Sequence, residues 1–139
     1  MKLRFTDQIA VVFGAGRGIG EGIATRLSKE GAKLVIIDIL VNEVDNEKHK
    51  ILKNGGDVET FTLDISNEKK VKQCITEIIR LHSRIDILIN TAGIVGPTNC
   101  NIEDYELKDF MNVLNVNLVG AFIISQAVIP IMKEKNYGR

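Results

Sequence analysis

The sequence predicts an α/β fold in which helices cover both faces of a doubly wound parallel sheet. Three observations predict it. Short β-branched runs alternate with helical periods along the chain, most of those runs are apolar nearly without interruption, and a dense glycine stretch, VVFGAGRGIGEG from Val11 to Gly22, joins the first run to the first helical period. Strand and helix in this rhythm mean right-handed crossovers and parallel neighbours. Continuous apolar strands are what a sheet covered on both faces requires.

Gln8 to Phe13 (QIAVVF) has the length and composition of a strand. From Gly18 to Glu30, Ile19, Ile23, Ala24 and Leu27 recur on one face, the spacing of an amphipathic helix that Gly31 stops. Lys33 to Asp38 (KLVIID) is the second strand, followed by a charged helix from about Asn42 to Lys53 that ends at Asn54-Gly55-Gly56. Asp57 to Asp64 (DVETFTLD) is the third strand. Ser66 is placed to cap a helix running to about His82, with Val71, Ile75, Ile78 and Ile79 inward. Ile85 to Asn90 (IDILIN) is the fourth strand. From Asp104 onward the chain reads as helix in two pieces, the later from about Val113 to Lys135, and Pro130 is expected to bend it. The result is one incomplete domain over residues 1–139, ending after the fourth strand and the helices that follow it.

Composition excludes several functions. Eighteen basic residues balance eighteen acidic ones, so no net field draws the chain to nucleic acid or an anionic membrane. The start MKLRFTDQ is too polar for a secretory signal. The longest apolar run, Leu118 to Met132, is broken by Ser125, Gln126 and Pro130 and falls short of the about 18 residues a membrane span needs. Cys74 and Cys100 stand apart without CxxC spacing, so both read as free thiols in a reducing, cytoplasmic setting. His49 and His82 are lone surface histidines rather than metal ligands.

The glycines suggest backbone pressed against something. A Gly-x-Gly-x-x-Gly fingerprint begun at Gly14 or Gly16 would need glycine at Ile19 or Glu21, whereas Gly-x-x-x-Gly-x-Gly fits through Gly14, Gly18 and Gly20. Such a turn between strand and helix can bring amide groups and the positive end of a helix dipole against a pyrophosphate. Glycines there also serve plain close packing, and the stretch alone leaves both readings open. Context favours a dinucleotide, because Asp38 ends the next strand, where an acid meets the two ribose hydroxyls of an adenosine. A carboxylate in that place opposes a 2′-phosphate: like charges about 4 Å apart repel by about 4 kcal/mol at an effective dielectric near 20. NAD is therefore expected over NADP, although Arg17 in the glycine turn leans the other way.

Together with LDIS (Leu63 to Ser66), NTAG (Asn90 to Gly93) and NVNLVG (Asn115 to Gly120), the turn GAGRGIG resembles the short-chain dehydrogenase/reductase family, whose members reduce carbonyls or oxidise alcohols with a nicotinamide cofactor. The resemblance covers the whole chain and implies a Rossmann-like sheet. It implies that Gly14, Arg17, Gly18, Ile19 and Gly20 meet the cofactor's phosphates, that Asp38 and Ile39 lie at the ribose, and that Asp64 and Ile65 lie at the adenine. It further implies that Asn90, Ala92 and Gly93 border the cofactor and that Asn117 supports a catalytic proton relay. Two departures are visible. Thr91 replaces the family's second asparagine, and Phe13 replaces a threonine whose hydroxyl ties the glycine turn to the NTAG segment. Loss of that bond, worth about 0.5–1.5 kcal/mol net, is expected to loosen the turn.

Catalysis in the family uses a tyrosine made more acidic by a lysine four residues later, a serine and the asparagine. A tyrosine of ordinary pKa about 10 is a poor base at neutral pH, so the adjacent cation is a physical need. Here Tyr105 is followed four places on by Asp109, and Tyr137 has only Gly138 and Arg139 after it. In the family a Tyr-Gly-Arg like this one introduces the next strand. The chain therefore reads as the N-terminal, cofactor-binding part of an NAD-dependent oxidoreductase acting on a small alcohol or carbonyl, expected to be inactive alone. The alternative is a non-catalytic nucleotide-binding or subunit-interaction module, and a third reading is an α/β domain without a ligand. An exposed edge on the fourth strand and an apolar last helix lead to an expectation of marginal stability or self-association, with a homo-oligomer forming through the Val113 to Lys135 helix.

Overall fold

The computed structural model describes residues 3–139; the first two residues of the polar start MKLRFTDQ lie outside them. Four strands form one parallel sheet in the order β3-β2-β1-β4, with β1 at Ile9–Phe13, β2 at Lys33–Asp38, β3 at Asp57–Thr62 and β4 at Ile87–Asn90. Helices α1 (Gly18–Lys29), α2 (Val41–Lys53) and α3 (Glu68–His82) make the crossovers. The strand order reverses beside β1, since the chain moves outward through β2 and β3 and then returns to place β4 on the other side of β1.

Alternation along each strand sorts its side chains to opposite faces. Val11, Phe13, Val35 and Ile37 pack with Val71, Ile75 and Ile78 of α3 on one face. Ala10, Val12, Leu34 and Ile36 pack with Ala24 and Leu27 of α1 and Val44 and Ile51 of α2 on the other. β1 is buried along its whole length, as the central strand of a doubly covered sheet must be. Glu47 is buried on α2, where its carboxylate accepts a hydrogen bond from the Thr25 hydroxyl of α1 at 2.7 Å. Lys50, which also pairs with Glu21, lies 3.6 Å from the other Glu47 oxygen. The lysine holds the Glu21 carboxyl below its usual range. The two helices are thus joined by a polar bridge as well as by apolar contacts.

The structure corrects several boundaries. β3 ends at Thr62 rather than Asp64; Leu63 continues the line only through its amide to the Asp38 carbonyl at 3.2 Å. The cap of α3 is Asn67, whose side chain accepts from the Lys70 amide at 3.0 Å, because the Ser66 hydroxyl is committed to Asp64 at 2.7 Å. β4 begins at Ile87, since Asp86 turns inward to accept the Ile9 amide at 2.9 Å and the Arg84 side chain at 3.0 Å. Its outer edge is not wholly bare. The Arg139 amide donates to the Asp86 carbonyl at 3.0 Å and the Leu88 amide donates to the Arg139 carbonyl at 2.8 Å, the alternation of a parallel pair.

After β4 come a 3₁₀ turn at Ile102–Asp104, helix α4 (Leu107–Leu114), a wide π turn (Asn115–Gly120) and helix α5 (Ala121–Glu134). Leu107 to Glu134 is one continuous helix of 28 residues rather than two pieces. Its irregularity lies at Asn115–Gly120, and α5 runs through Pro130 to Glu134. This helix is long and apolar enough to cross a membrane by length and composition, with 22% of its most apolar window buried. That revises the span expected from the unbroken run Leu118 to Met132, because a helical average tolerates Ser125, Gln126 and Pro130 where an unbroken run does not. Ile123, Ile124 and Val128 face the core, while Leu107, Phe110, Met111, Leu118, Phe122 and Ile129 are exposed.

Candidate functional site

The carboxyl ends of β1, β2 and β4 open into a cleft of about 660 Å³, bounded by the start of α1 and by one side of the long helix. It lies where the strand order reverses, the place where open α/β sheets bind ligands. Gly14, Arg17, Gly18, Ile19 and Gly20 form one wall, Asp38 and Ile39 the next, Asp64 and Ile65 the third, and Ala92 and Gly93 the fourth. The sequence-predicted residues therefore converge, with two exceptions. Asn90 is exposed and lies outside the lining; its side-chain oxygen accepts the Ala92 amide at 3.1 Å and shapes the turn instead. Asn117 also lies outside it, its amide clasping the Ile94 backbone from both sides, with Ile94 N–H donating at 2.8 Å and the Asn117 nitrogen donating to the Ile94 carbonyl at 2.9 Å.

The glycine turn is built by close backbone approach. Gly14 has φ +78, and a Cβ on it would stand 2.4 Å from the Ala92 nitrogen. A Cβ on Gly20 would stand 2.0 Å from the Gly14 carbonyl oxygen. No side chain other than hydrogen fits either position. Arg17, extended at φ −157, occupies the cap position of α1 without a side-chain hydrogen bond to the first turn. The first-turn amides, which a helix cannot satisfy internally, are thus left facing the cleft.

Asp38 does more than end a strand. One carboxylate oxygen accepts the Gly16 amide at 2.9 Å and the other accepts the Leu40 amide at 3.1 Å, so this acid fixes the glycine turn from the β2 side. Asp64 takes the Ser66 amide at 2.9 Å and the Ser66 hydroxyl at 2.7 Å on one oxygen. Ile19, counted from periodicity onto the inward face of α1, is 76% exposed, and Ile39 is 59% exposed; both turn toward the cleft rather than the core. Leu40 and Asn112 line the cleft without any motif to announce them, joined by Val116 from within NVNLVG. The last two come from the long helix, whose approach to the sheet is a tertiary fact that local spacing does not encode.

The tie that Phe13 cannot make is present in another form. Phe13 is buried in the core, and the tie is made from the opposite side: the Thr91 hydroxyl reaches the Phe13 carbonyl at 3.0 Å and the Gly14 carbonyl at 3.2 Å, while the Thr91 amide donates to the Phe13 carbonyl at 2.9 Å. The two departures from the family pattern complement each other. Cys74, by contrast, is pushed up to about 12 by burial and has no part in the cleft. Among the described residues no cluster of His, Cys, Asp and Glu is arranged to hold a metal ion.

Sheet order, glycine turn and cleft together define an open-sheet α/β protein of the Rossmann type. The family model for short chain dehydrogenases matches residues 8–139, and the chain belongs to that family. It is 35% identical over 137 residues to levodione reductase of Leifsonia aquatica, covering 97% of this chain and 51% of that protein. Among solved structures, a metagenomic short-chain oxidoreductase in complex with NADP superposes with a TM-score of 0.91 at 30% identity, over 96% of this chain and 60% of that one. An NAD⁺-bound xylitol dehydrogenase superposes with a TM-score of 0.94 at 31% identity, over 98% of this chain and 52% of that one. The chain spans about half the length of the curated relatives it matches.

Proposed function

We propose that the chain binds a nicotinamide dinucleotide in this cleft, NAD in preference to NADP, as the cofactor-binding part of an oxidoreductase that interconverts a small alcohol and a carbonyl. The observation that carries the reading is the tight glycine turn: Gly14 and Gly20 pack so closely that added Cβ atoms would stand 2.4 Å and 2.0 Å from neighbouring backbone, and this packing sets the uncapped start of α1 at the edge of the cleft. Amide groups at Gly18, Ile19 and Gly20 would hold the pyrophosphate. Asp38 would accept the ribose hydroxyls, Asp64 and Ile65 would border the adenine, and the exposed surfaces of Ile19 and Ile39 would be covered by the ligand. The cofactor, when bound, would carry the hydride, accepting it from the alcohol or giving it to the carbonyl. Of this chain's own residues, Asn117 holds the Ile94 backbone and so sets the loop beside the nicotinamide end; Tyr105 is followed four places on by Asp109 rather than by a lysine. Because the chain spans about half the length of its relatives, hydride transfer is assigned to the whole enzyme, and its location to the reducing cytoplasm. Calorimetric titration tests the reading: saturable binding of NAD, tighter than NADP, is expected, and no saturation with either would overturn it.

A specific observation also favours self-association. Leu118, Val119, Phe122 and Ile129 are exposed along the later part of the long helix, more apolar surface than solitary scattered residues account for. We propose that this helix, within the Val113 to Lys135 region, pairs with a second copy. Sedimentation equilibrium is expected to show a dimer or larger species that Phe122→Glu shifts toward monomer; a wild-type monomer at high concentration would remove the proposal.

A further inference from the structure

Thr91 follows the last residue of β4 and lies in the cleft, yet nothing in the charge or nucleophilicity of its surroundings gives it chemistry to perform. Its hydroxyl has one proton to donate, and two carbonyls compete for it: Phe13 at 3.0 Å and Gly14 at 3.2 Å. The second of these is the carbonyl against which Gly20 packs, and a Cβ on Gly20 would stand 2.5 Å from the Thr91 oxygen itself. One hydroxyl therefore touches the end of β1, the first glycine of the turn and the first turn of α1. On the other flank the turn is held by the Ile37 carbonyl, which accepts the Gly14 amide at 2.8 Å and the Ala15 amide at 3.2 Å, and by Asp38. The β2 side thus carries three amide contacts, whereas the only side-chain contact on the β4 side among the described hydrogen bonds is Thr91. Phe13 cannot contribute, because its side chain is spent in the core.

We propose that Thr91 is a positioning residue for the dinucleotide: its hydroxyl latches the glycine turn against the end of β4 and fixes where the first amides of α1 point. This rests on the reading of the cleft as a dinucleotide site, but the latch itself exists without ligand. In this chain position 13 is a buried phenylalanine and the hydroxyl that reaches the turn comes from position 91.

Two measurements separate the latch from the function. In the ligand-free chain, Thr91→Val, which keeps the shape and removes the hydroxyl, is expected to speed hydrogen exchange at the hydrogen-bonded amides of the turn, Gly14, Ala15 and Gly16, by about fivefold or more, roughly the weight of one net hydrogen bond, while Ile36 and Ile37 in β2 are unchanged. Thr91→Ser, which keeps the hydroxyl, is expected to exchange as wild type. In titration with NAD, valine is expected to bind about five- to tenfold more weakly and serine within twofold of wild type. Unchanged exchange in the valine variant, or a serine variant as perturbed as valine, overturns the latch. Should the wild type bind neither NAD nor NADP, the cleft reading fails and the exchange measurement still decides the latch. The pair Thr91→Ser and Thr91→Ala, neither able to clash, gives the same comparison if valine does not fold.

Discussion

Replacing Gly20 by alanine is expected to abolish dinucleotide binding, weakening it at least 100-fold, and to lower the thermal midpoint. The added methyl would meet the Gly14 carbonyl oxygen at 2.0 Å and the Thr91 hydroxyl at 2.5 Å. Neither neighbour can retreat. Gly14 is itself pressed against the Ala92 backbone at a φ of +78, and its amide is bonded to the Ile37 carbonyl at 2.8 Å, so relief must come from lifting the start of α1 away from the sheet. That displacement moves the very amides that the cofactor reading requires. Overpacking of this kind costs about 1–3 kcal/mol, and a chain of this size loses roughly 3–6 °C per kcal/mol. Gly22, two positions further along α1 on a side where a Cβ meets nothing within 4 Å, is the control. Gly22→Ala is expected to leave binding unchanged and to stabilise the helix by about 0.5–1 kcal/mol. Thermal melts and calorimetry on the two variants check both halves, and wild-type affinity in Gly20→Ala would refute the cradle.

The contrast between these glycines shows what the sequence alone conveys. Five glycines alternate from Gly14 to Gly22, and spacing singled out Gly14, Gly18 and Gly20, but only the folded contacts tell which exclude a side chain on steric grounds. The strand and helix alternation was legible because continuous apolar runs and 3.6-residue periods are local properties, and they sufficed for the parallel sheet. Ile19 misled for the same reason: periodicity puts it in line with Ile23 and Ala24, yet at the first turn of α1 the inward face looks past the end of the sheet into the cleft. Ser66 and Asn67 are both good caps, and the choice fell to Asn67 once Asp64 had engaged the serine hydroxyl, a competition that spacing does not rank. The continuity of Leu107–Glu134 depended on a π turn, which a sequence reading of helical period treats as a break. Thr91 was visible only as a deviation. Its compensation for Phe13 required knowing that β1 and β4 are neighbours, paired from Ala10 with Ile87 to Phe13 with Asn90.

Asp38→Ala is expected to weaken NAD binding by at least tenfold while NADP binding improves, so that the preference between them narrows by more than either change alone. Two effects act in the same direction on NAD. The carboxylate is the acceptor proposed for the ribose hydroxyls, and it also holds the Gly16 amide at 2.9 Å and the Leu40 amide at 3.1 Å, so its removal frees the glycine turn on the β2 side. Hydrogen bonds to a charged partner are worth about 1.5–3 kcal/mol each, enough for a tenfold loss even if water replaces most of the contact. For NADP the loosened turn costs the same, but the repulsion between Asp38 and a 2′-phosphate disappears, about 4 kcal/mol at 4 Å before salt screening. Arg17 lines the same cleft and is exposed, free to meet the phosphate once the acid is gone. Asp38→Asn separates the two roles, since it keeps an acceptor for one amide while removing the charge: it should recover part of the NAD affinity and most of the NADP gain. Adding Arg17→Ala to Asp38→Ala is expected to cancel the NADP gain. If Asp38→Ala weakens NAD and NADP by the same factor, the acid serves only as an anchor for the turn, and the cofactor preference must be set elsewhere in the cleft.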